Sequence, residues 1–190
     1  MKEGERLIGL RVLGVSGSPR EGGNTDAAVM EALAVASDLG YRVEFQRLAD
    51  YRIEHCRGCR ACMRTGTCAI TGDELAAALN PWRAADVVIL GSPVYWLAPS
   101  GLLKDFIDRT HGWYAEGNLF RGKRAILLSV AADSGFEPHD EGIAGWLRHY
   151  GAEVPAVVRI LARDKGDFNK RPEEREKVRE TVAKVLRGMA

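Results

Sequence analysis

Four thiols crowd into one short stretch of this chain, His55-Cys56-Arg57-Gly58-Cys59-Arg60-Ala61-Cys62-Met63-Arg64-Thr65-Gly66-Thr67-Cys68, with the spacing C-x2-C-x2-C-x5-C. Four thiolates in one loop can enclose a cubane iron-sulfur cluster. Bacterial ferredoxin runs begin with the same C-x2-C-x2-C, followed there by a shorter final gap. Arg57, Arg60 and Arg64 would offset the negative charge of such a cluster. Other chemistries compete for the same sulfurs. Zinc accepts four thiolates, but structural zinc sites usually pair two short knuckles across a longer gap. Reduced free thiols remain open, as does a redox disulfide within C-x2-C, although a thioredoxin-like context is missing. A secreted disulfide framework would instead spread its cysteines to staple distant parts of the chain. His55 abuts Cys56 and reads either as a substitute ligand or as an exposed loop histidine.

A second stretch offers phosphate chemistry. Leu10-Arg11-Val12-Leu13-Gly14-Val15 is an apolar run that stops in Ser16-Gly17-Ser18-Pro19-Arg20-Glu21-Gly22-Gly23-Asn24-Thr25, after which a helical pattern begins. Glycines let backbone N–H groups approach an anion, and Ser16, Ser18, Asn24 and Thr25 add hydrogen-bonding side chains at the positive end of a helix. Gly17 and Gly22 have Walker A spacing, but Gly23-Asn24 replaces the required Lys-Ser/Thr. The dinucleotide glycines are missing, and Ser18 stands where a nucleophile elbow needs its last glycine. A loop for a single phosphate remains, against the plainer reading of an ordinary strand-to-helix turn.

A third stretch, Gly91-Ser92-Pro93-Val94-Tyr95-Trp96-Leu97-Ala98-Pro99, sets two aromatics between prolines at the end of another apolar run. Such a loop can present a rigid apolar edge and backbone polar groups to a planar ring, as a flavin requires. Alternatively Tyr95 and Trp96 pack in the core or at a subunit contact. Lys104, Asp105, Asp108 and Arg109 fall at i, i+4 spacings that predict surface ion pairs. The histidines at 111, 139 and 149 are expected near helix ends in partly solvated roles, and no Ser-His-Asp or paired-carboxylate constellation stands out.

The elements that must position these stretches follow from periodicity. Strands are expected at residues 10–15, 41–45, 86–90, 124–130 and 154–161, and helices at about 25–39, 73–79, 100–111, 137–150 and from Pro172 onward. Asp73 and Glu74 suit the amino end of the second helix. Residues 49–72 read as one long irregular loop, a length that is usually functional inside a compact domain. Alternating strands and helices predict an α/β fold: a doubly wound five-stranded parallel sheet of flavodoxin-like order 2-1-3-4-5 with helices on both faces. Ligands of such sheets sit beyond the carboxyl ends of the strands, so the loops after Val15, Leu90 and Val130 converge.

Gly17-Ser18-Pro19-Arg20, Gly23-Asn24-Thr25, Ser92-Pro93-Val94-Tyr95-Trp96 and Ser100-Gly101-Leu102-Leu103-Lys104-Asp105-Phe106-Ile107-Asp108-Arg109, in this order, resemble the flavodoxin-like NADPH-dependent FMN reductase family over about residues 11–161. The cysteine spacing matches the compact motif of its iron-sulfur flavoprotein branch. The resemblance implies that Ser16, Ser18, Arg20, Asn24 and Thr25 hold the FMN phosphate and that Pro93, Val94, Tyr95 and Trp96 flank the flavin ring. It extends less firmly to Ala132, Asp133 and Ser134, because Gly135 is the lone glycine in a loop that relatives often fill with glycine. It further implies a 4Fe-4S cluster on Cys56, Cys59, Cys62 and Cys68, although relatives often carry Asp-Asp where this chain has Asp73-Glu74. A redox partner such as ferredoxin or a small-molecule acceptor, and a homodimer or homotetramer with contacts from Trp96, Leu97 and Trp113, belong to the same expectation.

Bulk properties bound the rest. The 190 residues, 46% apolar and 28% charged, suit one domain spanning 1–190. A formal net charge of +1 gives no reason to invoke nucleic acid. No apolar run reaches the roughly 18 residues of a membrane span, and residues 1–9 lack the apolar region of a signal peptide, so a cytoplasmic location is expected. Three functions stand open. They are a cluster-bearing FMN oxidoreductase, a cluster-free NAD(P)H-dependent FMN or quinone reductase, and a flavodoxin-type carrier or redox-sensing binding protein.

Overall fold

Strands β1 (Arg11–Ser16), β2 (Arg42–Arg47), β3 (Val87–Pro93), β4 (Arg124–Ala131) and β5 (Glu153–Leu161) form one sheet in the computed structural model, which describes residues 9–114 and 118–189. Every residue of β3 is buried, as are the last five of β1 and the last seven of β4. Strands covered on both faces carry continuous apolar or small residues, and that is the pattern of these three. The order is β2-β1-β3-β4-β5 with every pair parallel, as the alternation of elements predicts. Only Gln46 of β2 is fully buried, in keeping with an edge strand. The charged residues 1–8 of the expected lead-in lie outside the described residues. No helix among the described residues is long and apolar enough to cross a membrane.

Helices α1 (Asn24–Asp38) and α6 (Pro172–Arg187) cover one face, where Val29, Ala32, Val178 and Val182 meet Val12, Ile89 and Ile126. On the other face a single turn, α2 (Cys62–Thr65), lies within the cysteine loop, and α3 (Leu75–Ala84), α4 (Gly101–Arg109) and α5 (Phe136–His149) pack through Leu79, Trp82, Phe106 and Leu147 onto Leu13, Leu90 and Leu127. Helix α3 runs further than the pattern up to Leu79 predicts, carrying Pro81 inside it. Proline removes a helical hydrogen bond, so packing must hold the last turn. Trp82 does so: it is fully buried among Phe106, Phe120 and Trp146 at ring separations of 5.1, 5.4 and 5.8 Å, and its Nε1 donates to Gln46 at 3.0 Å.

Two glycines decide how closely α1 can lie on the sheet. A Cβ on Gly14 would stand 2.6 Å from Leu33 Cδ1, and one on Gly91 would stand 2.5 Å from Val29 Cγ2 and 2.8 Å from Thr25 Cγ2. Without those side chains the helix settles onto β1 and β3, with its first turn against the strand ends. Overpacking such a contact forces backbone shifts, so Gly91→Ala is expected to lower stability by about 1–3 kcal/mol. A urea titration checks this, and an unchanged midpoint would contradict the close packing.

Candidate functional site

The loop between β1 and α1 is held from behind by groups that an anion would not need. Gly17 donates its N–H to Gly91 O at 2.8 Å and accepts the Ser100 hydroxyl at 2.6 Å. Ser100 also caps α4 by accepting from Leu103 N. The buried Asp26, in the first turn of α1, takes the Ser16 hydroxyl, the Gly22 N–H at 2.8 Å and Arg47 Nε at 3.2 Å. Ser16 thus turns inward as a buttress. Gly23 precedes α1 with no side-chain cap, which leaves the first-turn amides of Asn24 and Thr25 for another acceptor. Asn24 commits its side chain elsewhere, donating to Asp164 O at 2.8 Å and accepting from Gly166 N at 3.0 Å and Phe168 N at 3.3 Å. It lashes the loop after β5 to the phosphate loop.

These loops enclose a cavity of about 340 Å3 at the carboxyl edge of the sheet. Of the residues expected there, Ser18, Arg20, Asn24, Thr25, Pro93, Val94, Tyr95 and Ala132 border it, whereas Ser16, Trp96, Asp133 and Ser134 do not. Ala162, Arg163 and Asp164 also border it and were missed. The signal was available, since they directly follow the carboxyl end of β5. Asp133 pairs with Arg163 at 3.4 Å and accepts the Ser134 hydroxyl at 3.0 Å, closing the rim. Trp96 is 99% exposed, so it packs in no core of this chain. It and Leu97 take φ of +51° and +66°, the turn conformation that joins Tyr95 and Ala98 by two backbone hydrogen bonds. The tip is a tight hairpin standing beside the cavity.

All four cysteines line a second cavity, about 560 Å3, at the carboxyl-terminal end of α4, whose amino-terminal Ser100 holds the phosphate loop. Cys56 and Cys59 are exposed, Cys62 and Cys68 are half-buried, and none is in a disulfide. Among the described residues no three Cys, His, Asp or Glu side chains converge as a metal site. Positive φ at Gly58 and Arg60 curls the chain between the first three cysteines, and Gly66 ends α2 in the left-handed region. Arg57 and Arg60 border the cavity but Arg64 does not, and its far wall carries His111, Tyr114, His149 and Tyr150, with Tyr114 stacked on His149 at 4.5 Å. His55 points away, to Asp105 at 2.8 Å, whose hydrogen bond and charge raise its pKa.

The cysteine loop is closed by a buried cation. Arg109, 1% exposed, donates to Glu54 O at 2.7 Å, to Ile70 O at 3.2 Å and to both carboxylate oxygens of Asp73. Asp73 also accepts from Glu54 N at 2.9 Å, and Glu74 accepts from Arg52 N at 2.7 Å. The two acids zip the ends of the loop together, a larger task than starting a helix. The expected Asp105–Arg109 pair is therefore absent, while Lys104–Asp108 forms at 2.5 Å. Arg109 lies three residues after the buried Phe106, on the apolar stripe of α4, and that position was the sign of its burial. Its Nε is buried with no partner among the described residues. Burial alone would push its pKa down, and the hydrogen bonds and charges of Asp73 and of the adjacent Cys68 sulfur outweigh it.

His139 is fully buried, against the expectation of partial solvation, and the structure assembles Ser92, His139 and Asp140 from elements whose separation in sequence hid the constellation.

A parallel sheet of this order, with loops converging at its carboxyl edge, defines the flavodoxin-like class. The family model described as NADPH-dependent FMN reductase matches residues 10–166, and the chain belongs to that family. An iron-sulfur flavoprotein of Methanocaldococcus jannaschii is 43% identical over 101 residues, covering 53% of this chain and 52% of the relative, so the chain spans about half the length of that protein. Among solved structures, RosB with the bound intermediate 8-demethyl-8-formylriboflavin-5'-phosphate superposes with a TM-score of 0.73 at 18% identity, over 95% of this chain and 79% of that one. A flavodoxin from the domain Archaea gives 0.63 at 16% identity, over 94% and 98%. At those identities the likeness is one of fold.

The clasp makes a pH-dependent contribution to stability. Burial alone would raise the Asp73 carboxyl, but the Arg109 hydrogen bond and charge and the amides of Glu54 and Leu75 hold it below the ordinary carboxylate range. A carboxyl lowered by folding adds stability above its unfolded pKa, and that stability is lost as pH falls through the folded value. Asp73→Ala is expected to cost roughly 3–5 kcal/mol at neutral pH by leaving Arg109 buried and unpaired. Urea titrations over a pH series check the sign: the gap to the parent protein should narrow in acid, and a constant gap contradicts it.

Proposed function

We propose that this protein is an FMN-dependent oxidoreductase that holds FMN in the smaller cavity and a 4Fe-4S cluster on Cys56, Cys59, Cys62 and Cys68, joining a one-electron donor such as ferredoxin to the flavin. The observation that carries the reading is that all four cysteines open onto one cavity on the chain that also carries the phosphate-loop cavity. When bound, FMN stores two electrons and releases them singly, and an iron-sulfur cluster transfers one at a time. The chain's own groups supply binding and orientation. The amides of Asn24 and Thr25, the Thr25 hydroxyl and the Arg20 charge receive the phosphate, while Pro93, Val94 and Tyr95 flank the ring. On the cysteine side, Arg57 and Arg60 offset negative charge and the buried Arg109 adds a further positive charge close to Cys68. No acid-base residue is required, because the protein's part is geometry and electrostatics.

A second reading, a cluster-free NAD(P)H-dependent FMN or quinone reductase, is favoured by the family's description.

Protein purified without oxygen separates the two readings. A broad absorbance beneath the flavin bands that dithionite bleaches, together with bound iron, is expected. Flavin bands without iron, and steady NAD(P)H oxidation, would establish the second reading instead. Cys59→Ala should lose iron and keep FMN, and full iron retention removes Cys59 from the ligand set. For the other cavity, Thr25→Ala should weaken FMN binding by about three- to tenfold, the worth of one hydrogen bond. Unchanged flavin affinity in that variant would sink the phosphate assignment.

A further inference from the structure

Ser92, His139 and Asp140 stand as a nucleophile, base and orienting acid would, yet they are 0%, 0% and 6% exposed. His139 Nε2 lies 2.9 Å from Ser92 Oγ, and its Nδ1 lies 3.0 Å from Asp140 Oδ1. A hydroxyl sealed in the core meets no substrate, so hydrolysis is excluded and the cluster has to be understood by what it holds. Asp140 also accepts the Ser129 hydroxyl of β4 and Arg159 Nε of β5, the latter at 2.8 Å. Burial would raise its pKa, but the hydrogen bonds of His139, Ser129 and Arg159 outweigh burial and keep it ionised. An ionised carboxylate only accepts, so His139 carries its hydrogen on Nδ1 and, when neutral, turns Nε2 to Ser92 as an acceptor.

The other end of this chain of hydrogen bonds is the flavin loop. The Ser92 hydroxyl hydrogen has two acceptors in reach, His139 Nε2 and, at 3.3 Å, the carbonyl of Pro93. On its other side the same peptide group donates the Val94 N–H to Val130 O at 2.8 Å. The Pro93–Val94 peptide, whose two residues border the smaller cavity, is held by β4 through Val94, and the Ser92 hydroxyl of β3, whose one hydrogen is shared between His139 Nε2 and the Pro93 carbonyl, lies against it. Polar groups buried this deeply cost stability unless each is satisfied, and a satisfied network fixes one arrangement of the elements it joins.

We propose that Ser92, His139 and Asp140 form a positioning relay that locks the Pro93–Val94 peptide against the flavin ring, so that FMN affinity and flavin potential depend on side chains that never touch the cofactor. The relay rests on the assignment of the smaller cavity to FMN. His139 and Ser92 are positioning residues in it; Ser92 lies on β3, and Asp140 ties the relay to β4 and β5.

The test compares two buried hydroxyls. Ser92→Ala removes the link to the flavin loop. Tyr41→Phe removes a hydrogen bond of the same kind, Tyr41 to Leu186 O at 2.9 Å, at the opposite edge of the sheet. Both should lower the urea midpoint. Only Ser92→Ala should raise the FMN Kd, by about three- to tenfold, and shift the flavin midpoint potential. His139→Gln, which retains a hydrogen-bonding group toward Ser92, should fall between the parent and His139→Phe in both readouts. Titration of the parent protein with FMN comes first, because absence of binding overturns the cavity assignment and the relay together. If the parent binds FMN and Ser92→Ala and His139→Phe keep its affinity and potential, the relay alone is overturned.

Discussion

Burial of the Arg109 guanidinium beneath the cysteine loop is the constraint on which the less regular half of the molecule depends. A cation without solvent must be met inside, and Asp73, Glu54 O and Ile70 O meet it from both ends of that loop. The loop has little core of its own: Cys56 and Cys59 are exposed and its single turn, α2, has no buried residue. Its shape is therefore set by hydrogen bonds at its base and by backbone curvature at Gly58, Arg60 and Gly66. Helix α4 carries this base at one end. At the other end Ser100 caps the same helix and holds Gly17 of the phosphate loop. The anchors of the two cavities are thus the two ends of one nine-residue helix, about 14 Å apart at the usual rise.

On the phosphate side the governing problem is charge of the opposite kind. Asp26 places a buried carboxylate in the first turn of α1, where an anionic ligand would also sit. Arg47, Ser16 and the Gly22 amide absorb it from behind, so the outward amides of the first turn stay available. This arrangement requires α1 to lie close to β1 and β3, and it can do so because positions 14 and 91 carry no Cβ. Backbone packing and anion recognition are therefore one feature in this corner. Asn24 extends it to the loop after β5, which brings Arg163 and Asp164 to the cavity rim.

The sheet and its order were legible in the sequence because strands buried on both faces read as continuous apolar runs, and alternation with helices leaves a parallel doubly wound sheet as the economical solution. The convergence of the loops after β1, β3 and β4 followed from that order. Eight of the twelve residues expected around the flavin border the cavity, and all four cysteines share the other one. What local pattern could decide was residue type, element type and the strand end at which each loop emerges.

Tertiary structure decided where side chains point. Arg109 looked like one partner of a surface lattice and His139 like a half-solvated histidine, because a partner 36 or 47 residues away defines each. Trp96 reads as flanking the ring, packing in the core or meeting a subunit, and the left-handed turn at 96 and 97 leaves it outside the core of this chain and away from the cavity lining. Periodicity reports which face of an element is buried. Only the folded chain reports which polar groups that burial forces to satisfy one another, and in this protein those groups shape both cavities.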